Sequence, residues 1–430
     1  MKKSGLKSID KKWLILGIIL GVVIVVVILL TVFGATVQLA PKKPDYGTIG
    51  PSTQPIFIKV CNGYNGTITL DEVRNNLTGN YKQVCDIDLA GVNLKPIGTV
   101  SQFFTGTYDG NGYKISNFHY SNSSASMVGL FSGIGVGGMV NGIHLINFNI
   151  TGNNNVGGLT GVINDGTVKD SITNGTIRGT RGVGGLVGSL LGGKISNSST
   201  FGSIYSQNNQ FRYAGGIIGF INVSSGHKES VVLYTTANVR INGSSYSGDN
   251  FAIGGFIGGI SGVTSGVAMN VSIDNSKSEG NIILPGGIAI VGGFVGDIRQ
   301  AKYVSVTNSH ASGNIQITSN QGTVGGFMGK LETNPSQNIV IRNCSSTGNT
   351  KSSMGGGFVG SAYSYGGNLT IETSYTLGEV TARDFGGGFG GDISGKTNII
   401  DSYSKGKVIS PNNLGTCGSG FTSILGDLDA

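Results

Sequence analysis

Residues Gly254 to Gly258 read Gly-Gly-Phe-Ile-Gly, and this pentapeptide decides the fold. It consists of two glycines, a bulky apolar residue, a fourth residue that is apolar in most copies, and a closing glycine. Seven further copies occur at Gly157–Gly161, Gly184–Gly188, Gly215–Gly219, Gly292–Gly296, Gly325–Gly329, Gly356–Gly360 and Gly387–Gly391. The second glycines of successive copies lie 27, 31, 39, 38, 33, 31 and 31 residues apart. Recurrence at such intervals indicates stacked supersecondary units, none of which can bury its apolar side alone.

A second motif, Ile-x-Asn-Ser-x-Ser-x-Gly-x-Ile, accompanies the pentapeptide, and residues 273–282 (IDNSKSEGNI) are its best copy. Ser276, Ser278, Gly280 and Ile282 occupy every second place, whereas the residues between them vary from copy to copy. Alternation with period two predicts a strand with one buried face, so the small residues should face a narrow core and the variable residues water. Glycine recurs too often for a helix.

Each unit is therefore expected to contain a few short strands joined by turns, and about nine or ten units follow one another. Glycine corners and a fixed register favour an all-β solenoid whose coils pair in parallel, a parallel β-helix. A β-propeller is the alternative, but a blade needs roughly 40 or more residues, and most steps here are shorter.

One coil per unit has a consequence for the apolar residue of the pentapeptide, because identical places then lie directly above one another. The bulky residues should form one inward column, aliphatic in Leu159, Leu186 and Ile217 and aromatic in Phe256, Phe294, Phe327, Phe358 and Phe389.

The segment ahead of the repeats differs from them and is expected to close the open end of the stack. Thr69–Leu77 should form a short helix with Thr69 as its N-cap and with Asp71 and Glu72 in its first turn. The run Asp109–Gly112 (DGNG) is a strong hairpin-type turn signal between two alternating strands.

The pentapeptides resemble the GLUG-motif family of surface proteins, as do Asp86–Leu89 (DIDL), Pro96–Gly98 (PIG) and the Phe-x-Gly-x-Tyr-Asp-Gly-Asn-Gly run that begins at Phe104. The resemblance covers about residues 60 to 422. It implies a right-handed parallel β-helix in a large, adhesin-like and mostly bacterial protein. Some members of that family also carry a metallopeptidase domain directed at immunoglobulin A, but this chain has no residues that match it.

Residues 13–33 (WLILGIILGVVIVVVILLTVF) form an uncharged apolar run of 21 residues. At about 1.5 Å per residue it is long enough to cross about 30 Å of bilayer hydrocarbon. Five lysines precede it within residues 1–12, and only Lys42 and Lys43 follow closely, which predicts a cytoplasmic tail over 1–12 and an extracellular C-terminal part. A cleavable signal peptide is the alternative, but its apolar region is normally about 7–15 residues long. We therefore expect a single-pass, signal-anchored protein of the plasma membrane.

Residues 34–56 contain four prolines among Lys, Gly, Ser and Thr and predict an extended stalk without its own core. The cap and first coils are then assigned to residues 57–125 and the repeat solenoid to residues 126–430. Residues 1–45 carry seven lysines and two aspartates, and so account for five of the seven net positive charges. The basic balance therefore reflects membrane topology and gives no support for nucleic-acid binding.

Four cysteines allow limited inference. Cys61 and Cys85 flank the predicted cap helix, and an extracellular location would permit a disulfide between them; the alternative is two unpaired buried thiols. Cys344 replaces a core-facing serine, which predicts a buried free thiol. Cys417 lies about two units further along, out of bridging range.

Motifs of catalytic, cofactor and metal sites are missing from the sequence. It has no HExxH, no GxSxG and no Cys/His metal spacing, and its GxG stretches are not followed by helices. Its four histidines have no motif around them, and His310 falls in an outward place. We expect hydrogen bonds at turns, and neither catalysis nor metal binding, from the sparse carboxylates Asp165, Asp170, Asp297, Asp384, Asp392 and Asp401.

The resulting hypothesis is a membrane-anchored cell-surface β-solenoid that is not an enzyme. It would act as an adhesin or structural spacer, binding surface glycans or proteins through outward Tyr, Asn and Ser side chains. Tyr375 and Tyr403 hold the same outward place in neighbouring units and should stack. The alternative is an extracellular polysaccharide-degrading β-helix, a lyase or glycosidase, which needs acidic and basic side chains that converge in one groove.

Overall fold

The computed structural model describes residues 56–207, 211–224, 226–243, 251–262, 270–285, 289–318 and 322–409, together with the backbone of 422–425. The predicted anchor at 13–33, nearly all of the stalk and Cys417 lie outside these described residues. In the described part, no helix is long and apolar enough to span a membrane. Helical structure there consists of one short 3-10 helix, Asp71–Asn75.

This part of the chain is an all-β parallel solenoid of about ten turns. Every strand pairing among the described residues is parallel, and each strand pairs with its equivalents in the neighbouring coils. Thr160 lies opposite Val187, Val187 opposite Ile218, and Ile218 opposite Ile257. The propeller alternative is therefore wrong, because the units stack along one axis instead of standing around a channel.

Two sheets run along the solenoid. The first sheet has 18 strands, at Ile58–Val60, Asn80–Gln83, Thr107–Asp109, Phe131–Ile134, Met139–Asn141, Thr160–Lys169, Val187–Ser196, Ile218–Asn222, Ser230–Leu233, Ile257–Ser261, Asn270–Asp274, Val295–Ile298, Tyr303–Thr307, Met328–Thr333, Asn338–Arg342, Val359–Glu372, Gly390–Ile400 and Thr422–Leu425.

The second sheet has 24 strands, at Ile87–Asp88, Lys114–Ser116, His119–Ser121, Ser126–Val128, His144–Thr151, Asn154–Gly157, Ile172–Gly179, Arg181–Gly184, Ser199–Ser206, Tyr213–Gly215, Thr236–Asn242, Ala252–Gly254, Lys277–Ser278, Ile282–Leu284, Ala289–Gly292, His310–Ala311, Ile315–Ile317, Gly322–Gly325, Ser345–Ser346, Thr350–Gly356, Tyr375–Thr376, Val380–Gly387, Tyr403–Ser404 and Val408–Ile409.

The pentapeptide makes the corner at which the chain leaves the second sheet and enters the first. A Cβ atom on Gly255 would clash with the carbonyl oxygen of Gly293 in the next coil. One on Gly258 would clash with the carbonyl oxygen of Gly219 in the preceding coil. The glycines recur because successive coils approach each other backbone to backbone at this corner, where no side chain fits.

The five phenylalanines form the predicted inward stack. Each is fully buried, and from Phe256 to Phe389 the centroids of successive rings lie 4.5, 4.8, 4.9 and 4.9 Å apart. The planes of neighbouring rings are between 5° and 17° from parallel. One coil per repeat is thereby confirmed.

The aliphatic half of the column is also buried, at Leu159, Leu186 and Ile217. Leu130 extends it by one more coil, since its N–H donates to the carbonyl oxygen of Gly158. The repeat pattern does not reveal that coil, because Val128 and Ser132 stand where the pentapeptide has glycine.

The second motif makes the opposite corner, from the first sheet to the second. Its asparagine adopts a left-handed conformation, with φ of 48° at Asn275, 50° at Asn308 and 52° at Asn343, which asparagine tolerates better than most residues. The serine that follows is buried: Ser276 Oγ donates to the carbonyl oxygen of Asp274 (3.0 Å). From residue 276 to 282 the chain alternates between buried and exposed side chains, as predicted.

Cys344 takes the place of this serine in its own coil. It is a buried free thiol, and its Sγ lies 3.3 Å from the carbonyl oxygen of Arg342. Burial raises the pKa of the Cys344 thiol to about 12. The thiol is therefore protonated near pH 7 and keeps the donor role of the serine.

The cap differs from its sequence-based description in two respects, the first of which concerns its helix. The 3-10 helix begins at Asp71, with Leu70 at the N-cap position and no side-chain cap. Thr69 was predicted to cap the helix, but its N–H and hydroxyl both donate to Glu72 Oε2, at 2.6 and 2.9 Å. The Glu72 carboxylate thus accepts both the side-chain and the backbone proton of Thr69. The carbonyl oxygen of Thr69 accepts from the helix, from the Glu72 N–H at 3.2 Å.

The second difference concerns Asp109–Gly112, which is not a hairpin turn. Thr107–Asp109 belongs to the first sheet and Lys114–Ser116 to the second, so the run is a corner of the solenoid. Asn111 has the positive φ (52°) that the signal predicts, and Asp109 Oδ1 accepts its N–H at 3.0 Å. The turn geometry predicted for Asp109–Gly112 is therefore correct, but the strands on either side of it pair with neighbouring coils and not with each other.

The cap also contains a disulfide. Cys61 and Cys85 are joined, with their Cα atoms 5.5 Å apart. The bond links the chain that follows the first strand, Ile58–Val60, to the chain that follows Asn80–Gln83.

Candidate functional site

The outer face of the second sheet presents the predicted tyrosine pair. The ring centroids of Tyr375 and Tyr403 are 5.3 Å apart and their planes differ by 7°, which confirms the stack. Lys405 Nζ lies 5.3 Å from the Tyr403 centroid. One face of each ring is thus covered by the other ring, and Tyr403 also carries a lysine.

His310 lies on the same face, opposite Lys277 in the preceding coil and Ser345 in the next. Its Nδ1 is 2.8 Å from Ser345 Oγ. Burial, and then the charge of Lys277, lower the pKa of the His310 imidazole. A neutral, hydrogen-bonded ring fits the surface role predicted for this residue.

Charged side chains gather instead on the outer face of the first sheet. The register places Asp297 opposite Lys330, Lys330 opposite Ser361, and Ser361 opposite Asp392. We define the charged ladder as Phe220, Asp297, Arg299, Lys330, Glu332, Tyr363 and Asp392 on the side of the first sheet, together with Tyr213 of the second sheet. Acidic and basic side chains therefore converge on one face. The sequence analysis named such a convergence as the requirement for a polysaccharide-degrading β-helix, but the sequence alone could not show it.

The innermost member of the charged ladder is Asp297, of which 1% is exposed. It forms an ion pair with Arg299, and its Oδ1 has no hydrogen-bond partner among the described residues. Burial raises the pKa of the Asp297 carboxyl against the opposing pull of Arg299. Burial also works to lower the pKa of the Arg299 guanidinium, but the Asp297 carboxylate outweighs it and raises that pKa. The ion pair with the buried Asp297 therefore holds Arg299 in place as a cation.

The next coils continue the alternation of charge. Lys330 Nζ lies 3.1 Å from Glu332 Oε2 and 5.4 Å from the centroid of the Tyr363 ring. The Tyr363 hydroxyl donates to Asp392 Oδ2 at 2.7 Å. Burial, and then this hydrogen bond, raise the pKa of Tyr363. The phenol therefore keeps its proton and continues to donate it to Asp392.

The other end of the charged ladder is rich in arginine. Tyr213 lies opposite Arg181 of the preceding coil and directly follows Arg212. The Tyr213 ring packs on Phe220, with centroids 4.4 Å apart, across the pentapeptide corner. A Cβ on Gly259 would meet this ring at 2.8 Å, and Gly259 is the register partner of Asp297. Two further arginines thus lie beside the ladder where it begins.

The sequence singled out few of these residues. Of the carboxylates assigned to turns, Asp170 and Asp401 have left-handed φ at corners. Asp165 also has a left-handed φ (56°), within the strand Thr160–Lys169, and its Oδ1 accepts the Lys228 N–H at 2.6 Å. Asp297, Asp384 and Asp392 were assigned wrongly, because each lies within a strand. One sequence signal could have found Asp297 and Asp392. Both directly follow the closing glycine of a pentapeptide, and the side chain at that place lies on the outer side of the first sheet.

A pocket beside the cap is a further place among the described residues that could hold a ligand. Among them, no group of three His, Cys, Asp or Glu side chains could bind a metal ion. A surface pocket of about 350 Å³ lies beside the disulfide of the cap and is lined by Lys59, Tyr64, Asn65 and Thr67. It contains one charged side chain, whereas the charged ladder contains five.

Comparison with known proteins gives short matches. No family model matches the chain. Halomucin of Haloquadratum walsbyi is 35% identical over 115 residues, which make up 24% of this chain and 1% of halomucin. A protein proposed to be a Gly-rich membrane protein of Evansella cellulosilytica is 38% identical over 90 residues, 19% of this chain and 10% of that protein. The chain thus spans a small fraction of the length of both relatives.

Solved structures give weak likenesses. A protein proposed to be an immunoglobulin A1 protease, from Bacteroides ovatus, aligns with a TM-score of 0.45 and 19% identity over 62% of this chain and 78% of that one. An IgA1 protease aligns with a TM-score of 0.43 and 18% identity over 84% and 22%. These values carry no inference about what this chain binds or cleaves.

Proposed function

We propose that this chain is a cell-surface adhesin of the GLUG-motif type. In this proposal residues 13–33 anchor it in the plasma membrane with the N-terminus inside, residues 34–56 form a stalk, and a right-handed β-solenoid presents a ligand-binding face outside the cell. The observation that carries the proposal is the charged ladder. It concentrates five charged side chains on one face of a chain with only 12% charged residues.

The physical setting of the charged ladder suits binding. The parallel register holds its members at fixed coil intervals of about 4.8 Å, so little side-chain or backbone entropy remains to be lost on association. Lys330 and Tyr363 are already positioned by Glu332 and Asp392. A rigid, amphipathic surface of this kind can contact several hydroxyl groups of a glycan, or a polar patch on a protein, at once.

Binding is tested with the full chain, purified in detergent, on an array of surface glycans and in a cell-adhesion assay. Lys330→Ala/Tyr363→Phe, on the charged ladder, should weaken binding by at least about tenfold, as expected for the loss of well-packed polar contacts. The matched change Lys277→Ala/Tyr375→Phe, on the second sheet, should leave binding within about twofold. Absence of binding to any glycan or cell surface would refute the adhesin.

Topology is tested separately on intact cells. Protease added outside should remove the solenoid and spare the segment at 13–33, because the lysine bias predicts an inside N-terminus. A solenoid that survives in intact cells, and is cleaved only after lysis, would contradict the anchor.

A polysaccharide-degrading enzyme is the second candidate, and the buried, unpartnered Oδ1 of Asp297 favours it. A general acid must come within about 2.6–3.2 Å of the atom it protonates. Asp297 is 1% exposed and paired with Arg299, so binding remains the better proposal. Turnover of a polysaccharide by the folded chain, lost in Asp297→Asn, would reverse that preference.

A further inference from the structure

Arg181 and Arg212 are neighbouring cations without counter-ions. Among the described residues, neither guanidinium forms an ion pair or a side-chain hydrogen bond. Arg212 is half-buried, and its Nε is a buried donor without a partner. A buried N–H that loses its water without gaining an acceptor destabilises the fold, so Arg212 is placed at a cost to stability.

The electrostatics confirm that the two side chains affect each other. Burial, and then the charge of Arg212, lower the pKa of the Arg181 guanidinium. Around Tyr213 the chain thus assembles Arg181, Arg212 and Arg299 against one carboxylate, Asp297, which Arg299 already neutralises. The charges of Arg181 and Arg212 then remain without a neutralising carboxylate among these groups. They equal the net charge of +2 that residues 46–430 carry together.

The neighbouring groups indicate what kind of anion fits. The Tyr213 and Phe220 rings form a stacked aromatic pair next to the arginines, and Phe220 is partly exposed. Burial is the largest cause that raises the pKa of Tyr213, so its hydroxyl is a neutral donor and acceptor. Guanidinium groups bind planar carboxylates and sulfates through paired hydrogen bonds, and aromatic faces pack on the C–H face of a sugar. An anion attached to a sugar would engage the two guanidinium groups and the exposed part of the Phe220 ring.

We infer that Arg181 and Arg212 form an anion subsite for acidic glycans, in which they bind a sugar carboxylate or sulfate ester while the partly exposed Phe220, backed by the buried Tyr213, contacts the ring. The inference rests on the proposed function and specifies its ligand. It assigns affinity to the arginine end of the charged ladder, which the variants at Lys330 and Tyr363 leave intact.

The test measures binding of the full chain to three oligosaccharides of equal length: an oligouronate, a sulfated oligosaccharide and a neutral one. Both anionic ligands, or one of them, should bind at least about tenfold more tightly than the neutral ligand, and raising the salt concentration should weaken that preference. Arg181→Gln/Arg212→Gln should abolish the preference. Arg181→Lys/Arg212→Lys should retain part of it, because lysine keeps the charge but not the paired hydrogen bonds.

Arg342→Gln/Arg383→Gln is the matched control, since it removes two positive charges about four coils away or more. It should leave the preference for anionic ligands within about twofold. An equal loss in this control would overturn the subsite and show a diffuse charge effect. Inorganic sulfate that competes as well as the sulfated oligosaccharide would overturn the role of the sugar ring.

The outcome also separates the inference from the proposed function. Binding of neutral and anionic glycans with equal affinity, unchanged in Arg181→Gln/Arg212→Gln, would overturn the subsite and leave the adhesin standing. Absence of binding to every glycan and cell surface would refute the adhesin itself, and with it the subsite. Far-ultraviolet circular dichroism and the unfolding midpoint confirm that each variant is folded.

Discussion

At the scale of single residues, the corner asparagine of the second motif is a conformational requirement. The same corner is occupied by Thr373, with a φ of 49°, and by Tyr234, with a φ of 51°. A β-branched residue in the left-handed region is a genuine outlier, because its Cβ substituents crowd the backbone. Thr373 is therefore a strained residue at a corner where other coils have asparagine.

Replacing Thr373 by asparagine should stabilise the protein. Thr373→Asn relieves about 1 kcal/mol of backbone strain, and the new amide would lie next to Asn343, whose Nδ2 donates to Asn308 Oδ1 at 2.7 Å. The measurement is the free energy of unfolding from denaturant titration.

The converse change supplies the control. Asn343→Thr places a β-branched residue at a φ of 52° and removes the amide bond to Asn308, so it should destabilise by about 1–2 kcal/mol. Equal and small effects of both substitutions would show that the corner imposes no preference.

At the scale of the repeated element, the aromatic column makes a sharp distinction between inner and outer rings. Phe327 stacks between Phe294 and Phe358 at 4.8 and 4.9 Å and is fully buried. Phe327→Ala should cost about 3–5 kcal/mol, because the rigid coils cannot collapse into the cavity. Tyr375→Ala, on the outer face, should cost less than about 1 kcal/mol by comparison of unfolding midpoints. Similar losses for both variants would be incompatible with this column.

The outer face of the second sheet should respond to pH through His310. The pKa of His310 is lowered in the folded chain from its ordinary value of 6.5. As the pH falls, the unfolded chain therefore takes up the proton before the folded chain does. The free energy of unfolding should therefore fall as the pH drops from about 7 towards the folded pKa. His310→Gln should flatten this slope; an unchanged slope between pH 7 and 5 would rule out the contribution.

At the scale of the whole molecule, each coil contacts mainly its neighbours, so the ends of the stack determine where unfolding begins. The disulfide closes a segment of 24 residues in the cap, which stabilises it by about 3 kcal/mol in the chain-entropy account. Cys61→Ser/Cys85→Ser should therefore open the first coils before the others. Hydrogen exchange should accelerate over 58–89 and remain slow over 289–318; uniform acceleration along the chain would contradict end-initiated unfolding.

The architecture was predictable because its signals are periodic and local. Glycine at a backbone contact, asparagine at a left-handed corner and alternation along a strand recur from coil to coil with few exceptions, so the repeat reveals them without reference to partners. The same locality explains the errors in the cap. Asp109–Gly112 has the composition of a tight turn, but whether such a turn makes a hairpin depends on the strands that pair with its arms.

The sequence by itself determined the coil, its inward column and the faces of its strands, since these follow from which residue types fit a repeating backbone. The tertiary structure alone decided the charged ladder and its arginine end. Arg181, Asp297 and Asp392 are separated by more than 90 residues each, and only the coiling of the chain places Asp297 and Asp392 on the first sheet and Arg181 on the second, across the pentapeptide corner. The place after the closing glycine marks Asp297 and Asp392 as outward-facing, but the sequence does not show which charged groups meet, because electrostatic interaction depends on distance in space.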